Sequence, residues 1–180
     1  MNNLRKKYIE EVIPQLKKEF KENNSRAIAA PEKISVNVGL SKADKNPEFK
    51  KDVINDLRLI TGQNPVLSKA KKSISGFKVR EGQEVGAVVT LRGRRMWDFI
   101  ERFIGVALPR IRDFRGIERR NVDGQGNLNY GIKEQLVFPE ISHDDIKTIF
   151  SFQITIKTTA GNKDEGTRLF ELLGFPMQKD

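Results

Sequence analysis

A chain of 180 residues with 37% hydrophobic and 32% charged residues fits a modest core under a heavily charged surface, and no apolar run approaches the roughly 20 residues needed to cross a bilayer. It has no cysteine and one histidine, His143, which excludes disulfides, thiolate metal sites, iron–sulfur clusters, a cysteine nucleophile and paired-imidazole metal sites. Lys and Arg outnumber Asp and Glu by 33 to 24, and the excess is local: 13 to 9 over residues 1–68, 14 to 6 over 69–120, and 6 to 9 over 121–180.

A basic middle third is the electrostatic footprint expected for a polyanionic partner, with a plain solvated basic face as the alternative. The first 22 residues carry Glu10, Glu11, Glu19 and Glu22 and no uninterrupted apolar stretch. That composition argues against a secretory or transit leader, so a cytoplasmic location is expected.

Leu4, Tyr8, Val12, Leu16 and Phe20 recur every four residues and predict an amphipathic helix within residues 1–22. Pro14 should kink or restart it, and Asn23-Asn24-Ser25 should end it. In Glu32–Gly39, Ile34, Val36 and Val38 alternate with Ser35 and Asn37, the pattern of a half-buried strand. Asn46-Pro47 caps and opens a helix that buries Val53, Ile54, Leu57 and Ile60 and stops at Gly62. A strand opening at Pro65 runs into residues 70–82, a basic loop rich in Ser and Gly.

Glu84–Leu91 reads as a Val-rich strand, and Gly93–Leu108 as the strongest helix, ended by Pro109. Residues 110–116 alternate Arg110 and Arg112 with Ile111 and Phe114 in a short extended piece. Asp123-Gly124 signals a hairpin in a flexible polar setting. Asn129–Ile132 and Gln135–Phe138 resemble short edge strands, Phe152–Thr158 a sheet strand, and Asp164–Leu173 a last helix. Interleaved helices and one-face-buried strands predict an α+β fold with an antiparallel or mixed sheet, helices on one face and a polar sheet face left over. One domain spanning residues 1–180 is expected.

Chemical motifs are sparse. Asp123-Gly-Gln-Gly126 lacks the third glycine of a dinucleotide fingerprint and the Gly-Lys-Ser/Thr of a phosphate loop. His143-Asp144-Asp145 offers too few ligands for a hard metal, and nothing is spaced to make His143 a base. No catalytic residue, metal or cofactor is expected.

Two basic constellations remain. In the first, Lys69, Lys71, Lys72, Lys78 and Arg80 can neutralise phosphates, Ser73, Ser75 and Gly76 allow close backbone approach, and Phe77 offers a stacking face. A disordered connector with Phe77 tucked into the core is the alternative. In the second, Arg92, Arg94 and Arg95 stand at a helix N-terminus, where they oppose the macrodipole and need another reason to be there. RNA phosphate supplies one; packing on Trp97 or pairing with Asp98 supplies another.

The blocks Lys69–Arg80, Val89–Phe99, Leu108–Gly116 and Tyr130–Glu140 closely resemble the bacterial form of ribosomal protein five of the large subunit, the universal 5S-rRNA-binding family. The resemblance runs from the N-terminal helix to Phe175-Pro176. It implies an antiparallel sheet with helices on one side and a concave surface for 5S rRNA. It also implies docking of the 5S particle at the central protuberance and contact with other large-subunit rRNA. A basic loop matching Lys72–Gly82 would reach the peptidyl-site tRNA. Neighbouring ribosomal proteins, one of them on the small subunit, would be further partners. Family positions that read 5S rRNA match Asn37, Gln63 and Thr90, with Lys69, Lys71, Arg92 and Arg94 as phosphate contacts.

The chain departs from the family at Gly86-Ala-Val-Val, which lacks a cysteine or lysine often seen there, and at its variable start. Neither touches the implied contacts. A transiently bound RNA-binding assembly factor is the rival reading. An enzyme would need clustered carboxylates or a phosphate loop, and the sequence has neither.

Overall fold

The computed structural model describes residues 3–22, 24, 26–40, 47–141 and 148–178. Its helices are α1 (Asn3–Lys7), α2 (Ile13–Phe20), α3 (Pro47–Thr61), α4 (Gly93–Arg102) and α5 (Lys163–Leu173). Its strands are β1 (Pro31–Gly39), β2 (Val66–Lys69), β3 (Glu84–Leu91), β4 (Leu128–Ile132) and β5 (Phe152–Thr158). The strands form one open antiparallel sheet in the order β2-β3-β1-β5-β4. The expected α+β class is therefore found. Asn46, Asn23, Ser25 and His143-Asp144-Asp145 lie outside the described residues.

The chain divides into two compact units. The first comprises residues 1–35, 91–130 and 154–180, and the second residues 36–90 and 131–153. In the first unit, the N-terminal helix meets Pro14 through a wide turn. Tyr8–Val12 is π-helical, with the Ile13 N–H donating to the Tyr8 carbonyl, and α2 restarts at Ile13 with Pro14 in its opening turn. There the missing N–H costs nothing. A second π-turn precedes Pro109, where the sequence predicts a stop to the helix that α4 begins, and the helical run does end there, at Arg110. Phe103–Ala107 is a π-turn leading into a 3-10 turn, Leu108–Arg110, that holds Pro109.

Both turns face the unit's core. Tyr8 packs its ring 5.3 Å from Trp97 and donates its hydroxyl to the Ala29 carbonyl at 3.0 Å. Burial pushes that phenol up to about 12. Phe103 contacts Phe99, Tyr130 and Phe175. Burying each such side chain is worth roughly 1.5–3 kcal/mol over exposure. A short charge chain braces the surface: Arg168 forks onto Glu19 at 2.6 and 2.7 Å and also bonds Glu171, which Arg119 approaches at 3.4 Å.

The hairpin expected at Asp123 is a closed turn, bonded throughout. Asp123 Oδ1 accepts the Gln125 and Asn127 N–H groups, both at 2.9 Å, and Oδ2 accepts from the Asn127 amide at 3.0 Å. Asn127 Oδ1 in turn accepts the Thr158 N–H. Partial burial pushes the Asp123 carboxyl up, but these bonds outweigh it and hold the group below its ordinary range. A depressed carboxyl gives stability that is full above its unfolded pKa and is lost as pH falls through the folded value. Asp123→Asn keeps Oδ1 but turns a donor toward the Asn127 amide. It should cost about 1–2 kcal/mol at pH 7, and the gap from wild type should close below roughly pH 4. Urea titrations at pH 7 and pH 3 check this; a gap independent of pH contradicts it.

In the second unit, α3 buries Val53, Leu57 and Ile60, as its spacing predicts, whereas Ile54, also expected in the core, is only half-buried. Gln135–Val137 is a 3-10 turn and not the edge strand expected from sequence. The reason is a buried glutamine. Gln135 Nε2 donates to the Thr148 carbonyl at 2.7 Å, and Oε1 accepts the Phe150 N–H at 2.9 Å. Beside it, burial and the nearby Asp52 charge raise the Asp56 carboxyl, with a Gln135 hydrogen bond opposing. Residues 111–116 of the first unit also form no strand, because Asp113 takes a left-handed φ of 56° and turns the chain.

Candidate nucleic-acid interface

Strand alternation makes one face of the sheet apolar and leaves the other open. In β1, Ile34, Val36 and Val38 are buried, while Ser35 is half-buried and Asn37 and Gly39 are exposed. In β3, Ala87, Val89 and Leu91 are buried, as is the side-chain-less Gly86, and Val88 and Thr90 only partly so. Register pairs Ser68 with Gly86 and Val66 with Val88, and Val66 is 72% exposed. A Cβ built on Gly86 would lie 3.7 Å from Asn37 Oδ1 and 3.9 Å from Ser68 Cβ. Three adjacent strands therefore bring Asn37, Gly86 and Ser68 together on the open face of the second unit. Thr90 lies farther along the same face of β3.

Asn37 is where alternation puts it. Gln63 is not on a strand. It sits half-buried in the turn between α3 and β2, where the Thr61 hydroxyl donates to the Leu57 carbonyl at 2.6 Å and accepts the Gln63 N–H at 3.3 Å. Ser68 was not singled out from sequence, and the departure at Gly86, expected to lie away from the implied contacts, instead stands beside Asn37. The available signal was a glycine inside a strand, which marks a place of close backbone approach.

The basic loop is the tip of the β2–β3 hairpin. Ala70 and Gly82 close its base, with Ala70 N–H donating to Gln83 O at 2.8 Å and Gly82 N–H to Ala70 O at 2.9 Å. Farther out, Ile74 and Val79 exchange backbone bonds, and Ser75–Phe77 forms a 3-10 turn. Ser73 Oγ accepts the Glu81 N–H at 2.9 Å, so this hydroxyl braces the loop. Residues 71–78 are all exposed, including Lys71, Lys72, Ser75, Gly76 and Lys78; Arg80 is exposed too. Phe77 is 79% exposed, which excludes the alternative of a ring tucked into the core. Lys69 ends β2 opposite Glu84, whose carboxylate is held by Lys50.

Arg92 and Arg94 belong to the first unit. Arg92 is extended at the helix N-cap, and Gly93 makes the turn with φ 57°. Arg94 reaches Asp98 only at 3.8 Å with both side chains well exposed, and such surface pairs contribute little. Trp97 is occupied by Tyr8. Among the described residues no cluster of three metal-ligating side chains occurs, and no helix is long and apolar enough to cross a membrane.

Comparison with known proteins places these features in a family. Residues 26–80 match the family model described as ribosomal protein L5, and residues 84–177 match the model for the C-terminus of the same ribosomal family. Large ribosomal subunit protein uL5 of Desulfatibacillum aliphaticivorans is 47% identical over 179 residues, covering 99% of this chain and 100% of that protein. Its counterpart in Geotalea daltonii is 46% identical over 178 residues, covering 99% of each. With identity of this level over nearly its whole length, the chain belongs to the uL5 family of large-subunit ribosomal proteins.

Proposed function

We propose that this chain is a non-catalytic ribosomal protein that reads 5S rRNA with the open face of its sheet and helps dock it in the central protuberance of the large subunit. The observation that carries the reading is the exposed Asn37 side chain on the open sheet face, next to the exposed Ser68 and the close-packed backbone of Gly86. The Asn37 amide offers donors and an acceptor to a base edge or a 2′-hydroxyl. Thr90 adds a hydroxyl on the same face, and Gln63 an amide at the entry to β2. Lys69, Lys71, Arg92 and Arg94 would contribute phosphate contacts, which supply affinity without sequence preference.

The hairpin tip serves a different end in this proposal. Lys72, Ser73, Ser75, Gly76, Phe77, Lys78 and Arg80 would face peptidyl-site tRNA, with the Phe77 ring available for stacking. Other large-subunit rRNA, neighbouring ribosomal proteins and a small-subunit protein complete the partners, within the cytoplasmic ribosome.

Filter binding tests the reading. The protein should prefer 5S rRNA over tRNA and over duplex RNA of equal length, and equal affinity for all three would leave only nonspecific electrostatics. Lys71→Ala with Lys72→Ala should lower the salt slope of RNA binding by roughly one to two units. If the loop serves tRNA alone, the loss appears in peptidyl-site tRNA affinity instead. A variant with neither defect would make the loop an inert connector. A sucrose gradient at moderate salt separates a resident protein, which stays on mature subunits, from an assembly factor, which leaves them.

A further inference from the structure

The β2–β3 hairpin changes its bonding where the basic tip begins. At the base, Ala70 bonds Gln83 and Gly82 through the backbone, and farther out Ile74 and Val79 exchange bonds at 2.9 and 3.2 Å. Between these two rungs the Arg80 and Glu81 N–H groups meet side chains instead. Gln83 Oε1 accepts the Arg80 N–H at 2.8 Å. Ser73 Oγ, eight residues away across the hairpin, accepts the Glu81 N–H at 2.9 Å. Two side chains thus take the place of a backbone rung.

Apolar burial contributes little here. Residues 71–78 are all exposed, with Ile74 at 50% and Phe77 at 79%. A two-stranded piece without a buried face is marginal in water. The tip nevertheless holds a demanding backbone. Lys78 sits at φ 55°, its N–H bonded to Ser75 O at 3.1 Å. That left-handed conformation favours glycine and persists in a lysine only where the surroundings hold it. Hydrogen bonds therefore fix the turn that presents Phe77, and the two made by side chains can be removed without touching a cation.

We propose that Ser73 and Gln83 are positioning residues, whose side chains hold the hairpin tip in its binding form before tRNA arrives and act through the backbone rather than by touching the tRNA. This role rests on the reading of the tip as tRNA-facing, and within that reading it makes Ser73 a brace instead of a contact. A loop ordered in advance has less backbone entropy to lose on binding, so affinity rises without a new contact. Both braces lie beside the residues that matter: Ser73 follows Lys72, and the amide held by Gln83 belongs to Arg80.

The test uses Ser73→Ala and Gln83→Leu, with Ser73→Thr as the variant that keeps the hydroxyl. Amide exchange on the full-length protein reads the tip, and peptidyl-site tRNA binding to ribosomes carrying each variant reads the consequence. Ser73→Ala should speed exchange of the Glu81 amide, and Gln83→Leu that of Arg80, each by about tenfold or more with melting unchanged. Both should weaken tRNA binding by about threefold or more. The salt dependence should stay that of wild type, because no cation is lost. Ser73→Thr should behave as wild type in both measurements. Faster exchange with wild-type tRNA binding overturns the proposal, since the bonds would then serve the loop alone. Weaker binding with unchanged exchange also overturns it, by making Ser73 a direct contact, and so does no change in either. Failure of the tRNA reading shows separately, as wild-type tRNA binding by Lys72→Ala and Phe77→Ala as well.

Discussion

Gly166→Ala is expected to destabilise the fold by about 3 kcal/mol, although the same change in an exposed helix interior would stabilise by roughly 1 kcal/mol. Gly166 lies within α5, where alanine is the better helix former. The turn at Asp123–Asn127 reverses the sign. A Cβ on Gly166 would stand 2.4 Å from Gly126 Cα and 2.5 Å from Gly126 O, both backbone atoms that cannot swing aside. Gly126 has no freedom either, since its φ is 74° and its own Cβ position is 2.6 Å from Ala160 Cβ. The bonds that close the Asp123 turn oppose any retreat. In a chain of this size the penalty should lower Tm by about 10 °C. A variant as stable as wild type would mean that turn and helix are not in contact.

Gln135→Ala is the second large effect, expected at about 3 kcal/mol. Gln135 is fully buried and holds two backbone groups, the Thr148 carbonyl and the Phe150 N–H. Each group left buried without a partner costs about 1–3 kcal/mol. The loss also leaves Asp56 without the donor that offsets its burial, so the carboxyl should rise further. Urea unfolding read by the intrinsic fluorescence of Trp97 measures the first effect. A loss under about 1 kcal/mol would mean water or a shifted backbone replaces both bonds.

Much of the fold was legible because it follows local periodicity. β3 and β5 fall on the residues their alternation names, and α3 and α5 begin within a residue of their predicted starts. For α5 the cap is explicit: Asn162 Oδ1 accepts the Glu165 N–H at 2.9 Å. What was not legible depends on partners distant in sequence. Gln135–Phe138 has strand composition, but its conformation follows bonds to Thr148 and Phe150. The helix does end at Pro109–Arg110, as the proline predicts, but its winding changes to a π-turn at Phe103–Ala107, and no spacing rule announces that.

The candidate site divides the same way. Asn37 and Thr90 lie on the open face because alternation puts them there, whereas the loop's composition left the exposure of Phe77 open and the structure decides it. Gln63 rests on family resemblance, since a turn has no period from which to read orientation. Ser68 and Gly86 emerge only once register pairs β2 with β3.

The central claim, that the open sheet face reads 5S rRNA, is tested most directly by separating stability from binding at Asn37. Its side chain is exposed and held by no protein group among the described residues. Asn37→Ala should therefore change stability by less than about 1 kcal/mol. Thr90→Val, which removes a hydroxyl and keeps the branched shape, is the companion change. Each should weaken 5S rRNA binding by roughly 1 kcal/mol, about fivefold in Kd, and by more where an RNA group is left buried and unpaired. Thermal melts and filter binding on both variants give the result. Wild-type melting of Asn37→Ala with weakened 5S binding by both supports the account, whereas early melting with normal binding of the folded protein would contradict it.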